Sequence, residues 1–307
     1  MRRALRRGWV DFFFTPADPT ALGLIRIAVG LLLLWNLGML GVDLRANLGS
    51  TGWAGSEAAR EFLDTTPGAW SFWLWVPDAA LPAVWAASMI VLALVTAGLF
   101  TRVTAVLAWA IVVATARRSP VLVFGFDQIV ATWALYLAAF GAGGQALALD
   151  RLLARRRRKL KAGPPAPTVS ANLSLRLIQL HLCLIYGAAG LAKLRGDAWW
   201  DGSAMEFLIV TPEFRRFDLA WLAAYPLVLN LATHGALALE VGYPVLIWFK
   251  PLRPLLIASV FLMHVGIDLT LGLTEFGLAM LAGNLAFASG PWLRGLSAKT
   301  RGQSAGS

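Results

Sequence analysis

Residues 21–40 run for twenty positions with a single charge, Arg26. That is about the length an α-helix needs to cross a hydrocarbon core of roughly 30 Å. Apolar runs recur at 82–100, 103–116, 129–149, 173–193, 226–249, 255–271 and 276–288, the third and eighth spans being short, each run bounded by charged or Gly/Pro-rich segments. Lipid offers no partners to backbone N–H and C=O groups, so runs of this length imply helices that satisfy those groups internally. The expected fold is therefore all-α. It is a polytopic transmembrane helical bundle of about eight spans, with short amphipathic helices in two long outer loops, 41–80 and 195–225.

Composition supports this reading. Hydrophobic residues make up 58% of the 307 positions and charged residues 14%, whereas soluble domains run nearer roughly 45–50% and 25%. Mean hydropathy is +0.66. Fourteen Trp fit a chain whose indole rings sit where hydrocarbon meets water. A soluble protein this apolar would expose patches large enough to aggregate.

The net charge of +10 raises nucleic acid as a partner, but the basic residues lie in short clusters between apolar runs. Arg155–Lys159 has no interleaved aromatic residues on which bases could stack, so no nucleic-acid partner is expected. The cluster instead reads as a topogenic loop that meets anionic lipid headgroups. It belongs to a basic, Pro-rich connector at about 150–170 that includes Gly163-Pro164-Pro165-Ala166-Pro167. With eight spans, Arg2/Arg3/Arg6/Arg7, Arg102, the 151–161 cluster, Lys250/Arg253 and Lys299/Arg301 fall on one side. Positive charge marks the cytoplasmic face, so both termini are expected there, in a plasma or inner membrane. Arg117/Arg118 and Arg215/Arg216 are exceptions. The basic start followed by an apolar run resembles a signal peptide, but the run is long and Val42-Asp43-Leu44-Arg45-Ala46 offers no small-x-small cleavage site. Residues 1–292 are expected to form a single transmembrane domain and 293–307 a disordered tail. Asn172-Leu173-Ser174 matches a glycosylation sequon, but it abuts a span on the inner face.

Ionisable groups inside hydrocarbon are costly and mark candidate sites. In the fifth span Gln179, Cys183, Tyr186, Gly190 and Lys193 recur at spacings of four, three, four and three, which stacks them on one helical face. Lys193 is either a lysine snorkelling to the interface or a partly desolvated amine able to take a proton. His264 and Asp268, four apart, are either an oriented imidazole or a buried pair that locks helices together. Glu240 lies mid-span and needs a partner or a proton, while His234 points elsewhere. Asp127-Gln128 opens the fourth span, and Arg26 is close enough to the interface to snorkel. The three His lie on three helices without HExxH or carboxylate spacing, so no metal is expected. The single Cys183 cannot form an intramolecular disulfide. No Walker, Rossmann or nucleophile-elbow pattern appears, nor a matching pair of interrupted helices of the kind inverted-repeat transporters carry.

Several stretches then acquire a collective meaning: Gln179-Leu180-His181, Tyr186-Gly187-Ala188-Ala189-Gly190-Leu191-Ala192-Lys193-Leu194, and Trp199-Trp200-Asp201-Gly202-Ser203-Ala204-Met205-Glu206-Phe207-Leu208. Together with His264, Phe276, Met280, Leu281-Ala282-Gly283-Asn284-Leu285 and the opening Arg26-Ile27-Ala28-Val29-Gly30, they resemble the HTTM family. This is the horizontally transferred transmembrane domain shared with vitamin K-dependent γ-carboxylase. The resemblance implies a cavity for a reduced quinone (a vitamin K-like hydroquinone) or another lipid-like molecule, with Lys193 at the position of the base. Tyr186, Asp127, Glu240, His264 and Asp268 become the candidate substrate-binding groups. Carboxylation of peptide Glu is the less expected chemistry. The carboxylase carries a Lys pair where this chain has Ala192-Lys193, and an Asn-His stretch where this chain has Arg118-Ser119-Pro120. No counterpart of its large extramembrane domain is expected in these residues. The alternative expectation is a non-catalytic membrane subunit, lipid-binding scaffold or transporter.

Overall fold

The structure, a computed structural model, describes residues 2–53, 55–118, 125–159, 163–211 and 216–295. Among them the chain is helical throughout, with one isolated backbone bridge, Ala17 to Thr168. The α-helices in chain order are α1 (Arg2–Phe14), α2 (Thr20–Leu40), α3 (Leu44–Leu48), α4 (Ser56–Thr65), α5 (Leu81–Ala97), α6 (Thr101–Arg118) and α7 (Phe126–Phe140). They continue as α8 (Leu149–Arg157), α9 (Val169–Lys193), α10 (Asp197–Trp200), α11 (Ala204–Val210), α12 (Pro226–Leu246), α13 (Arg253–Leu271) and α14 (Thr274–Asn284). All eight apolar runs are thus helices. Three stretches, Thr20–Leu48, Val169–Lys193 and Arg253–Leu271, are long and apolar enough to cross a membrane. Leu81–Ala97 and Phe126–Phe140 are apolar but shorter, about 22–26 Å at 1.5 Å per residue.

Two compact units form, residues 1–177 with 288–307, and residues 178–287. In the first, α2 packs on α5 and α7, and α6 packs on both α5 and α7. The buried face of α2 is Leu22, Ile25, Val29, Leu33 and Leu37, the three-and-four spacing of one helical face. Its other face leaves Leu31, Trp35 and Met39 more than half exposed. Large apolar side chains turned outward on an otherwise well-packed helix are what a lipid-facing surface requires. The 41–80 loop carries α4 and is pinned at its far end to α6. There the Ser71 hydroxyl donates to the Ala114 carbonyl (2.7 Å) and Trp73 Nε1 to the Thr115 hydroxyl (3.1 Å). Buried Arg118 donates to the carbonyls of Leu48 and Gly49.

Three expectations change. The fourth run stops being α-helical at Phe140, because Gly141 is left-handed (φ +58°) and a short 3-10 turn, Ala142–Gln145, follows. Arg26 does not snorkel. Only 1% exposed, it donates to the carbonyls of Gly143 (2.6 Å) and Leu147 (2.6 Å), with longer contacts to Thr96 and Ala146. The guanidinium therefore ties α2 to the turn after α7. At the chain's far end residues 290–295 are helical, and Arg294 pairs with Asp18 and donates to the Thr20 hydroxyl. Residues 296–307, with Lys299 and Arg301, lie outside the described residues, as do Arg215, 119–124 and 160–162.

The first turn of α8 caps α6. The Asp150 carboxylate accepts from the amides of Phe100 and Thr101 (2.8 Å each) and from the Thr101 hydroxyl (2.6 Å), so α6 borrows its N-cap from fifty residues downstream. Gly98, left-handed at φ +74°, ends α5 and leaves its carbonyl to the Asp150 amide (2.9 Å). Burial raises the Asp150 pKa, but the Thr101 and Phe100 hydrogen bonds and the charge of Arg26 outweigh it and hold the carboxyl below its ordinary 3.8. A depressed folded-state pKa contributes stability above the unfolded value and loses it as pH falls through the folded one. Asp150→Ala should therefore cost about 1–2 kcal/mol near neutral pH. That gap should narrow below pH 3.8, which thermal melts of both proteins in detergent across the pH range would measure.

Candidate functional site

The second unit collects most of the polar residues picked out from sequence. The α9 stripe forms as expected, with Gln179 and Tyr186 buried, Cys183 half-buried and Lys193 at the helix end. Gln179 Nε2 donates to the Ala286 carbonyl (2.7 Å). At Gly190 α9 meets α12. A methyl group there would lie 2.9 Å from the Val241 amide nitrogen, so only glycine permits this approach.

The contact brings Lys193 and Glu240 together. Lys193 Nζ lies 2.7 Å from one Glu240 carboxylate oxygen and 3.0 Å from the other. The Lys193 side chain is 25% exposed and that of Glu240 8%. Lys193 Nζ also stands 5.1 Å from the centre of the Trp199 ring, a cation–π arrangement. Glu240 thus has the partner that its mid-span position requires, and Lys193 is committed to that carboxylate rather than simply snorkelling. Together they are a neutral pair, which makes a mid-helix carboxylate affordable.

Three residues beyond Glu240, less than one helical turn, Tyr243 opens a second polar tier. The Tyr186 and Tyr243 rings lie 4.2 Å apart. The Tyr186 hydroxyl and His264 Nε2 share a 3.0 Å hydrogen bond, and the Tyr243 hydroxyl donates to Asn284 Oδ1 (2.7 Å). Asn284 Nδ2 in turn donates to the Met280 carbonyl (2.9 Å). Phe276 and Phe287 wall the cluster, edge-on to His264 and Tyr243. Side chains from α9, α12, α13 and α14 thus meet in one buried layer. Tyr186 is seven residues before Lys193, about 10 Å along the axis, so the ion pair and the aromatic tier are successive levels of the same packing.

The expected one-turn pair between His264 and Asp268 does not form. His264 Nδ1 is buried without a hydrogen-bond partner, and its other nitrogen is taken by Tyr186. Asp268 instead accepts from Arg216 (2.6 Å) and from the Thr274 hydroxyl (2.5 Å). A long arginine and a hydroxyl across the α13–α14 turn reach the carboxylate at the helix end, while the imidazole is turned inward. His234 points away as expected, towards the Asn230 and Trp200 carbonyls. Asp127 sits in the first unit, 7% exposed, in a cavity of about 450 Å³ lined also by Phe62, Trp109, Arg117 and Gln128.

Sequence reasoning passed over Tyr243 as a site residue and named Asn284 only within a motif. The available signal was spacing, because Tyr243 follows Glu240 by three and shares its face. Trp199 carried no separate signal beyond its place after Lys193.

Comparison with known proteins gives one informative result. No match was found among curated proteins or among solved structures. The family model for the HTTM domain matches residues 128–292, which takes in α9, the Lys193–Glu240 pair and the aromatic tier below it. That match covers more than half of the sequence, and the chain belongs to the HTTM family.

Proposed function

We propose that this HTTM membrane protein performs acid–base chemistry on a reduced quinone or another lipid-like molecule at the Lys193–Glu240 pair. The observation that carries the reading is the pair itself, an ammonium with a quarter of its side chain open, held by a nearly buried carboxylate. The donor set suits such a ligand. Lys193 offers a positive charge to a phenolic oxygen, and the Trp199 face offers a surface for an aromatic ring. A reduced quinone bound there would supply an acidic O–H. Glu240 is placed to take the proton of Lys193, which frees the amine to accept one in turn. Tyr186 and His264 lie one level further in.

The surrounding reading is of eight membrane-crossing helices, both ends cytoplasmic, in a plasma or inner membrane with lipids as partners. It rests on the eight apolar helices and the distribution of positive charge.

The test uses the full chain purified with native lipids. Co-purifying small molecules are identified by mass spectrometry, and oxidation of reduced quinone by dioxygen in air-saturated buffer, the external two-electron acceptor, is followed for the wild type, Lys193→Ala, Lys193→Arg and Glu240→Gln. Loss of the base should lower turnover roughly 100-fold or more. Equal turnover in all four proteins, with unchanged ligand content, would sink the reading.

A second reading, a non-catalytic subunit or scaffold, draws on the same contact. Both carboxylate oxygens lie within ion-pair distance of Nζ, the geometry of a clamp between α9 and α12. Variants that lose stability and no activity would favour it.

A further inference from the structure

Two basic amphipathic helices of the first unit play no part in that chemistry. In α1, Leu5, Trp9 and Phe12 recur at four and three, and Arg3 and Arg7 fall on the opposite face with Arg6 on its flank. Leu5 is 67% exposed and Trp9 63%. In α8, Leu149, Leu152 and Leu153 share a face and are all exposed, and Arg155, Arg156 and Arg157 follow in its last turn. Four arginines in α1 stand against Asp11. In α8, Arg151 and the 155–158 run stand against Asp150, whose carboxylate is already committed to the α6 N-terminus.

Remote in sequence, these helices are tied to one place. Asn172 Nδ2 (2.8 Å) and Arg176 Nε (3.1 Å) of α9 both donate to the Phe12 carbonyl, and Arg176 stacks 4.2 Å over the Phe12 ring. Ala17 and Thr168 exchange backbone hydrogen bonds of 3.0 Å. The Thr168 hydroxyl donates to Gln145 Oε1 (2.6 Å), and Arg151 of α8 donates to the Gln145 carbonyl (3.2 Å). Both basic helices are therefore moored at the start of α9.

We propose that α1 and α8 form one docking surface for anionic phospholipid, with leucine and tryptophan side chains in the headgroup–acyl boundary and arginines on the phosphates. Charge complementarity selects an anionic partner, and the exposed apolar side chains beside the arginines select a lipid layer over a polyanion without an apolar phase. Nucleic acid has nothing to gain from Leu149, Leu152 and Leu153. The proposal rests on the membrane reading above and is independent of the chemistry at Lys193.

The test uses the full chain in neutral detergent micelles, titrated with phosphatidylglycerol or phosphatidylcholine, with bound lipid counted by native mass spectrometry. The variants are Arg3→Gln/Arg6→Gln/Arg7→Gln and Arg156→Gln/Arg157→Gln/Arg158→Gln. All six arginines are exposed, and circular dichroism checks that helicity is kept. Preference for phosphatidylglycerol in the wild type, falling roughly tenfold or more in each triple variant and weakening with salt, is the expected result. Equal retention of the two lipids, or retention unchanged in both variants, overturns the proposal. So does binding of a single-stranded oligonucleotide that needs the same arginines while phosphatidylglycerol does not. A chain that stays monodisperse without detergent would remove the membrane reading itself, a different failure from a detergent-dependent chain that ignores lipid charge.

Discussion

Replacing Lys193 by alanine is expected to destabilise the second unit by about 3 kcal/mol, because Glu240 is left as a nearly buried carboxylate without its counter-charge. The figure is at the low end for a broken buried pair because the lysine side chain remains 25% exposed and water already screens part of the interaction. The double variant Lys193→Ala/Glu240→Leu should recover to within about 1 kcal/mol of the wild type, since an apolar residue of similar volume suits the position. Unfolding followed by far-UV circular dichroism in mixed micelles measures all three proteins. A single variant as stable as the wild type would mean that Glu240 finds another partner or accepts a proton at little cost.

Arg26→Met should be at least as damaging to the first unit. The side chain keeps an unbranched stem but loses its guanidinium, and two short charge-assisted hydrogen bonds to Gly143 and Leu147 disappear. Each is worth about 1.5–3 kcal/mol, so a loss of about 3–5 kcal/mol is expected. Arg26→Lys should recover only part, because an ammonium cannot present two nitrogens in a fixed fork to separate carbonyls. Hydrogen exchange of the 141–150 amides gives a local readout. Faster exchange there in Arg26→Met, with α9 unaffected, is the expected signature.

The helices were legible because their cause is local. An apolar run of sufficient length tends to be helical wherever it packs, and each of the eight runs contains an α-helix, although the fourth leaves it at Phe140. α1 was not legible, since its arginines and Gly8 hide a period that only the exposed Leu5 and Trp9 reveal. Pairings were legible only in part. Glu240 and Lys193 were each marked as ions needing an answer, but nothing local says that they answer each other across forty-seven residues. His264 and Asp268 had the right spacing to meet, yet Arg216 and Thr274 compete for the carboxylate and Tyr186 for the imidazole. Arg26 was misread for a related reason. Snorkelling is the default for an arginine with no partner in view, and its partners lie about 120 residues later in the chain.

That separation has a consequence for how the protein is made. Chains grow from the N-terminus at about 5–20 residues per second. Once Arg26 itself has been added, the carbonyls of Gly143 and Leu147, 117 and 121 residues later, do not exist for roughly another 6–24 seconds. Through that interval the guanidinium must be answered by water, lipid headgroups or the insertion machinery. The snorkelling posture expected from the sequence is the one suited to the nascent chain, and the buried one belongs to the finished protein. The contacts that hold Arg26 in its buried position can therefore form only after the turn following α7 has been synthesised.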